Sequence, residues 1–133
     1  MSEPLHRVGV ITLFVGEIER AKEFYVRAFE LAPIFEDAES AVFRFENMLV
    51  NLLAARAAPE LIEPAAVGND AAARFMVTIW VDDVDAVAET FGGRGVELLN
   101  GPQDRPWGVR TAAFADPDGH VWEVAQQLGG DAA

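Results

Sequence analysis

The sequence predicts an α+β fold built from two βαβββ modules that follow one another along the chain. The first observation is a repeat: two β-rich segments, residues 10–15 and 76–81, begin 66 residues apart. The second is that a helical pattern follows each segment at the same distance, reaching Phe29 in one half and Phe91 in the other. The third is the size of the chain: 133 residues, 51% of them hydrophobic, suffice for one domain with a buried core. Such a repeat indicates one structural unit used twice, with equivalent positions of the two halves facing a shared site.

The first module is predicted over residues 7–54. Segment Arg7–Val15 alternates and is rich in β-branched and aromatic residues, which predicts a strand. Apolar residues then recur at helical spacing over Ile18–Phe29, and Pro33 marks the end of that helix. Three short strands are predicted to follow, at Ile34–Asp37, Ala41–Phe45 and Met48–Ala54. Residues 55–73 are rich in alanine and proline and are predicted to link the two halves.

The second module is predicted over residues 74–127 and opens with a strand at Arg74–Val81. Asp82 is predicted to cap the next helix, because its carboxylate can accept a hydrogen bond from a free amide of the first turn. The glycine pair 92–93 is predicted to end that helix. Further strands are predicted near Val96–Leu99, Arg110–Ala115 and Val121–Gln127. Between the last two, Asp116–Gly119 reads Asp-Pro-Asp-Gly, which is typical of a tight turn.

Composition narrows the class of protein. A net charge of -12 argues against a nucleic-acid partner, because phosphates need basic surface. The same charge suits a cationic ligand through long-range attraction. The sequence has no apolar run of about 18 residues, so no spanning helix and no membrane partner are expected. It contains no cysteine, so it offers neither a disulfide framework nor a thiol nucleophile. We therefore expect one domain over residues 1–133, located in the cytoplasm.

Alternation along the strands assigns side chains to the two faces of each sheet. One set in each half is purely aliphatic and is predicted to pack against the helix of its own module. The other set mixes aromatic, thioether, hydroxyl, amide and carboxylate groups, which is typical of the wall of a ligand cleft. The cleft-facing positions that carry this chemistry are Phe14, Asn51, Met76, Thr78, Trp80 and Glu123.

Glu123 is the decisive residue of the cleft-facing set. It lies within Val-Trp-Glu-Val, where a carboxylate on a buried face is costly unless something pairs with it. A metal, a cationic ligand or a nearby arginine can supply that partner. The alternatives that need no ligand are an edge position open to water and an internal ion pair with Arg110.

Three motifs point to a known family. They are Ile11–Val15 leading to Ala21–Tyr25, the run Arg-Pro-Trp-Gly-Val-Arg at 105–110, and Phe-Ala-Asp-Pro-Asp-Gly-His-Val-Trp-Glu at 114–123. Together they resemble the vicinal oxygen chelate superfamily, which includes glyoxalase I, ring-cleaving dioxygenases, and fosfomycin and bleomycin resistance proteins. The resemblance covers about residues 7–127. It implies the glyoxalase/bleomycin resistance fold, in which two βαβββ modules form a U-shaped mixed sheet around a cleft, and it implies a homodimer.

The resemblance also implies where a metal would be held. Metal-binding members use a histidine on the first strand of a module, which falls on Val10 here, and its second-module equivalent falls on Met76. The glutamate of the last strand falls on Glu123, and its first-half counterpart falls on Asn51. A catalytic zinc typically needs three protein ligands, and octahedral ions need at least as many. Since only Glu123 keeps the usual ligand chemistry, we expect no bound metal and no cofactor.

The expected function is that of a metal-independent small-molecule binding protein, closest in pattern to the bleomycin-resistance-like members. It is expected to sequester an aromatic or cationic compound, an antibiotic being one such ligand. Phe14, Trp80 and Trp107 are candidates to stack on planar rings. Glu123 is the candidate partner of a cationic group, and Asn51 is the candidate hydrogen-bonding partner of a polar one.

An enzyme of the same superfamily, with lyase, isomerase or dioxygenase-like activity, is the alternative. In it Glu123 acts as a general base or as the sole retained metal ligand. Arg110 or Thr78 would then steady a developing oxyanion. Arg110 and Trp107 flank a glycine in a predicted loop, and a loop position favours a binding role over packing.

Overall fold

The structure is a computed structural model that describes residue 3, residues 5–69 and residues 72–129. The chain divides into two compact units, Met1–Gly68 (unit one) and Asn69–Ala133 (unit two). Each unit holds a four-stranded mixed sheet, and the order of elements in each is β-α-β-β-β. The predicted α+β class and the predicted pair of βαβββ modules are therefore confirmed. Among the described helices, none has the length and apolar character needed to cross a membrane.

Unit one is built as its hydrophobic pattern predicts. Its elements are β1 (Val10–Val15), α1 (Ile18–Phe29), β2 (Phe35–Glu36), β3 (Ser40–Arg44) and β4 (Leu49–Ala54). The strand order is β1-β4-β3-β2, with β1 and β4 parallel and the other pairs antiparallel. Helix α1 turns one apolar face to the sheet, and the Tyr25 ring lies 5.9 Å from that of Phe43, centroid to centroid. The predicted linker contains a 3-10 turn at Ala55–Ala57 and a short helix α2 (Pro59–Ile62).

Unit two repeats the topology of unit one. Its elements are β5 (Met76–Trp80), α3 (Val84–Gly93), β6 (Leu98–Arg105), β7 (Val109–Ala115) and β8 (Val121–Gln127). The strand order is β5-β8-β7-β6, and β5 and β8 are parallel, as β1 and β4 are in unit one. The core contains a chain of rings in which Phe114 lies 4.8 Å from Phe91 and 6.4 Å from Trp122. Side chains on the Phe114 side of this sheet therefore pack against α3.

The start of α3 differs from the prediction. The capping residue is Asp83 rather than Asp82: its Oδ1 accepts a hydrogen bond from the amide of Ala86 at 3.1 Å. The helix begins at Val84, so Asp83 occupies the position directly before its first turn. The amide of Val84 donates to Oε1 of Gln126 at 2.9 Å, which fixes the helix start against the end of β8.

Strand β6 is longer than predicted and ends at Arg105 instead of Leu99. Its pairing with β7 is irregular around Asn100 and Gly101. Gly101 has φ +83°, and a Cβ there would meet the carbonyl oxygen of Thr111 and lie 2.8 Å from the Cα of Ala112. Only glycine lets the two strands approach so closely at this point. The chain therefore continues as an edge strand through a sequence that resembles a turn.

The Asp-Pro-Asp-Gly turn is present between β7 and β8. Asp116 is buried, and its Oδ1 accepts hydrogen bonds from the amides of Asp118 and His120, both at 2.9 Å. Gly119 has φ +87°, a left-handed conformation that suits the predicted turn. The Oδ2 atom of Asp116 lies 2.8 Å from Nδ1 of His120. This carboxylate contact raises the pKa of His120 above its ordinary value.

Candidate ligand-binding site

The side of the unit-two sheet opposite α3 carries four of the eight predicted binding residues, and we call it the site face. Thr78 on β5 is in register with Glu123 on β8, and Glu123 is in register with Ala113 on β7. Residues in register share a face of the sheet, so these three side chains lie side by side. Met76 and Trp80 flank Thr78 on the same face and are 49% and 59% exposed. The sequence pattern thus places these residues correctly.

Glu123 has one hydrogen-bond partner within the described residues. Its Oε1 atom accepts a hydrogen bond from the hydroxyl of Thr78, with 2.9 Å between the oxygens. No arginine, lysine or histidine of the described part of the chain pairs with this partly buried carboxylate. A carboxylate can accept several hydrogen bonds, so Oε2 retains its full capacity. The hydroxyl orients the group and leaves its charge unneutralised.

Unit one has an equivalent polar pair. Thr12 on β1 is in register with Asn51 on β4, as Thr78 is with Glu123. The Asn51 amide donates to the Thr12 hydroxyl over 3.4 Å, which is long for a hydrogen bond. The Oδ1 atom of Asn51 is buried and meets no hydrogen-bond donor in the described structure. Phe14 follows Thr12 on the same face of β1, so the unit-one site residues are grouped as the repeat predicts.

Arg110 lies on the opposite face from Glu123. It is in register with Gln126 on the α3 side of the sheet, where its guanidinium makes two hydrogen bonds to Asp85 of α3, at 3.0 and 3.1 Å. A third bond of 2.9 Å joins it to Asp104. The predicted role of Arg110 beside Glu123, as an internal partner or an oxyanion donor, is therefore wrong in this geometry. Arg110 instead ties β6 and β7 to α3.

Trp107 lies in the turn between β6 and β7 and is 70% exposed. Its neighbour Gly108 adopts φ +92°, and the Gly108 carbonyl accepts a hydrogen bond from the amide of Leu128 at 2.9 Å. This places Trp107 at the end of the sheet where β5 also ends with Trp80. The structure does not bring Trp107 into contact with Glu123.

A cavity of about 370 Å³ opens at the end of β5 and β8. It is lined by Trp80, Val81, Asp82, Gln126 and Gln127. Trp80 is thus shared between this cavity and the site face, whereas Glu123 is not part of the lining. An unneutralised carboxylate recognises a ligand group more specifically than a shallow concavity does.

The donor set does not fit a metal centre of the family type. Within residue 3, residues 5–69 and residues 72–129, no three histidine, aspartate or glutamate side chains lie close enough to hold an ion. The groups beside Glu123 are the Thr78 hydroxyl and the Met76 thioether, which are poor ligands for zinc or manganese. His120 is engaged by Asp116, and His6 is exposed near the start of the chain.

Sequence reasoning missed one residue of the site face, Arg105 at the end of β6. Its Nε atom donates to the Thr111 hydroxyl at 2.9 Å, and Thr111 is in register with Ala125, two residues along β8 from Glu123. The alternation of side chains along β6 would have revealed Arg105, but the sequence Asn-Gly-Pro is typical of a turn and obscures that alternation.

The two units define a class of protein: a chain of two βαβββ units, each with a polar pair on its sheet. The model of the Glyoxalase/Bleomycin resistance protein/Dioxygenase superfamily matches residues 7–124, and the chain belongs to that superfamily. It is 28% identical to the uncharacterized protein YraH of Bacillus subtilis (strain 168) over 123 residues, 89% of this chain and 96% of YraH.

Two solved structures have a similar fold, while the family itself is assigned by the match of the superfamily model to residues 7–124. A glyoxalase/bleomycin resistance protein/dioxygenase from Nocardioides superposes with a TM-score of 0.85 at 24% identity, covering 98% of this chain and 88% of that one. A glyoxalase-related enzyme from Fulvimarina pelagi superposes with a TM-score of 0.78 at 26% identity, covering 97% and 96%. The family predicted from the three motifs is therefore confirmed.

Proposed function

We propose that this chain binds a small aromatic cation on the site face of unit two, without a metal and without converting it. Glu123 receives the cationic group, and Trp80 provides an exposed ring for stacking. The observation that carries the proposal is the state of Glu123: a carboxylate oriented by the Thr78 hydroxyl and paired with no cation of the described chain.

Charge supports a cationic ligand over a neutral one. The sequence carries 22 acidic and 10 basic residues, so its field attracts cations to the surface. At the site, a charge-assisted hydrogen bond to a carboxylate contributes about 1.5–3 kcal/mol. A cation near the face of a tryptophan ring gains a further 0.5–1 kcal/mol or so at an exposed position. Trp80 and Glu123 supply these two interactions from neighbouring strands.

In unit one, we propose that Asn51 and Phe14 contribute less to ligand binding than Glu123 and Trp80 do in unit two. The unpaired Oδ1 atom of Asn51 is suited to accept a hydrogen bond from a polar ligand group. Phe14 is the aromatic neighbour on the same face. Neither side chain carries charge, so they favour ligands with a polar, uncharged portion.

The experiment is a calorimetric titration with benzylammonium, an aromatic ring that carries one cationic group. The variant Glu123→Gln keeps the shape of the side chain and removes its charge, so we expect affinity to fall by more than ~1 kcal/mol, or at least about fivefold. The matched control is Glu89→Gln, which removes the same charge from an exposed position on α3 and is expected to change affinity by less than about twofold. Equal effects of the two variants would remove Glu123 from the site.

The metal-free part of the proposal is tested by elemental analysis and by repeating the benzylammonium titration after dialysis. We expect elemental analysis of the purified chain to find no stoichiometric transition metal, and we expect dialysis against a chelator to leave the benzylammonium affinity unchanged. One ion per chain, lost together with binding, would contradict it.

An enzyme of the same superfamily remains the second candidate. One observation favours it: the Thr78 hydrogen bond fixes one carboxylate oxygen of Glu123 and leaves the other free to take a proton, as a general base requires. The similar protein from Fulvimarina pelagi is described as a glyoxalase-related enzyme. Mass spectrometry separates the binding protein from the enzyme. The chain is incubated with a ligand that it retains through purification, and only an enzyme yields a new product.

We also propose that the chain acts as a cytoplasmic homodimer and that its two units form one domain. The resemblance to the superfamily supports the dimer. Light scattering should then give twice the chain mass, and both units should unfold in a single cooperative transition. If the physiological ligand is an antibiotic, we expect that antibiotic to be an aromatic cation.

A further inference from the structure

Arg105 is held in place by neutral groups. Its Nε atom donates to the hydroxyl of Thr111 at 2.9 Å, and one terminal nitrogen donates to Oδ1 of Asn100 at 3.3 Å. Thr111 is only 2% exposed, so its hydroxyl gives the guanidinium a buried anchor. A guanidinium has five N–H donors in a fixed plane, and these two contacts use two of them. The remaining donors are oriented by these contacts and make no hydrogen bond to the described residues.

Arg105 has no carboxylate partner within the described residues, unlike Arg110 and Arg27. Arg110 meets two aspartates, and Arg27 pairs with Glu23 at 2.7 Å. No carboxylate of the described residues lies within ion-pair distance of Arg105, although acidic residues outnumber basic ones by 22 to 10. Desolvating a partly buried cation is costly unless an anion compensates it. An anion from a ligand would supply this compensation for Arg105.

Arg105 and Glu123 share the site face. The Asn100 partner of Arg105 is in register with Ala113, and Ala113 is in register with Glu123. Strand β7 alone separates β6 from β8, but Arg105 is in register with Val109 and so with Gln127, four residues along β8 from Glu123, which puts the two backbones roughly 16 Å apart. The hydrogen bonds of the guanidinium to Thr111 and Asn100 bring it back along the sheet towards Glu123. The β7 residue between Asn100 and Glu123 is Ala113, so no polar side chain of β7 stands between the Asn100 end of the guanidinium and the carboxylate.

We propose that Arg105 binds an oxyanion of the same ligand whose cationic group is bound by Glu123. The inference rests on the proposed function and narrows the ligand to a zwitterion, with an ammonium group and a carboxylate on opposite sides of an aromatic ring. A guanidinium matches the planar fork of a carboxylate, which makes this pairing directional. The net charge of -12 opposes the anion only weakly at physiological salt, because charges farther than about 8 Å are largely screened, and the long-range attraction of the cationic group is weakened to the same extent.

The test uses two probes that differ only at the anionic end: 4-(aminomethyl)benzoate and its methyl ester. Both carry the ring and the ammonium group, and only the first carries a carboxylate. We expect the native chain to bind the zwitterion at least fivefold more tightly than the ester. In Arg105→Gln this preference should disappear, and in Arg105→Lys, which keeps the charge but loses the fork, it should fall to an intermediate value. Arg27→Gln, which removes a cation from α1, should leave the preference intact.

A second readout does not depend on the stability of the Arg105→Gln variant. The Nε–H signal of Arg105 in the nitrogen–proton spectrum of the native chain should shift saturably with the zwitterion and stay in place with the ester. Equal affinities of the two probes for the native chain, or an unmoved Arg105 signal, would overturn the assignment.

Failure of this proposal is distinguishable from failure of the proposed function. If benzylammonium binding depends on Glu123 while the carboxylate adds no affinity, Arg105 is not an anion site and the cation site stands. If the carboxylate preference depends on Arg105 while Glu123→Gln leaves benzylammonium affinity unchanged, the anion site stands and the cation site falls.

Discussion

The close approach of β6 to β7 at Gly101 leads to the sharpest stability prediction. Two costs apply to Gly101→Ala. Its φ of +83° is in the left-handed region, which costs an ordinary residue about 1–2 kcal/mol. In addition, the new Cβ would meet the carbonyl of Thr111 and lie 2.8 Å from the Cα of Ala112, so backbone rather than a flexible side chain must shift. Overpacking of this kind costs about 1–3 kcal/mol more.

Gly108→Ala is the matched control for this substitution. Gly108 also has positive φ, at +92°, and lies in the turn between β6 and β7, but no atom would lie within 4 Å of its Cβ. It should therefore show the conformational cost alone, about 1–2 kcal/mol. Gly92→Ala, within α3 and also in open space, should be neutral or stabilising by up to about 1 kcal/mol, because alanine is the better helix former.

The assay is urea unfolding of the four chains under identical conditions, with the free energy of unfolding taken from the linear dependence on urea. We expect the order Gly92→Ala, native, Gly108→Ala, Gly101→Ala from most to least stable. Equal losses at Gly101 and Gly108 would refute the close contact between β6 and β7. Equal losses would also argue against the pairing of β6 with β7 that places Arg105 on the site face.

Two further predictions concern ion pairs away from the cation site. Asp116 raises the pKa of His120, so the stabilisation from this pair is complete below the ordinary histidine pKa and is lost as pH rises through the raised value. His120→Asn should therefore destabilise the chain more at pH 5.5 than at pH 8.5. A loss of stability that does not change with pH would contradict the pairing. Arg110→Gln should lower the midpoint of thermal unfolding more at low salt than at high salt, because it removes the bonds to Asp85 and Asp104, while leaving benzylammonium affinity unchanged. A loss of affinity in that variant would place Arg110 at the ligand after all.

The fold was predictable because its signals are local and repeated. The alternation of β1 and β5, and the helical spacing that follows each at the same distance, predict two equal modules without knowledge of any contact. The alternation also predicted that Asn51, Thr78 and Glu123 lie on the cleft-facing sides of their strands. The registers that pair Thr12 with Asn51 and Thr78 with Glu123 come from the structure.

The remaining part depends on registers that the sequence does not encode locally. Arg110 was predicted near Glu123, but the face on which it lies depends on how β7 pairs with β8, and that pairing places it on the α3 side. Arg105 was missed because Asn-Gly-Pro at residues 100–102 is typical of a turn. The edge strand tolerates it, since the backbone groups of an edge are not all paired. Tertiary contact of Gly101 with β7 overrides the turn signal.

The location of a bound ligand is the most direct test of a cation site at Glu123. In a crystal structure of the chain with benzylammonium, we predict that the ammonium nitrogen lies about 2.7–2.9 Å from Oε2 of Glu123, with the ring against Trp80. A ligand seated elsewhere, or a metal ion bound to Glu123 in its place, would contradict the account.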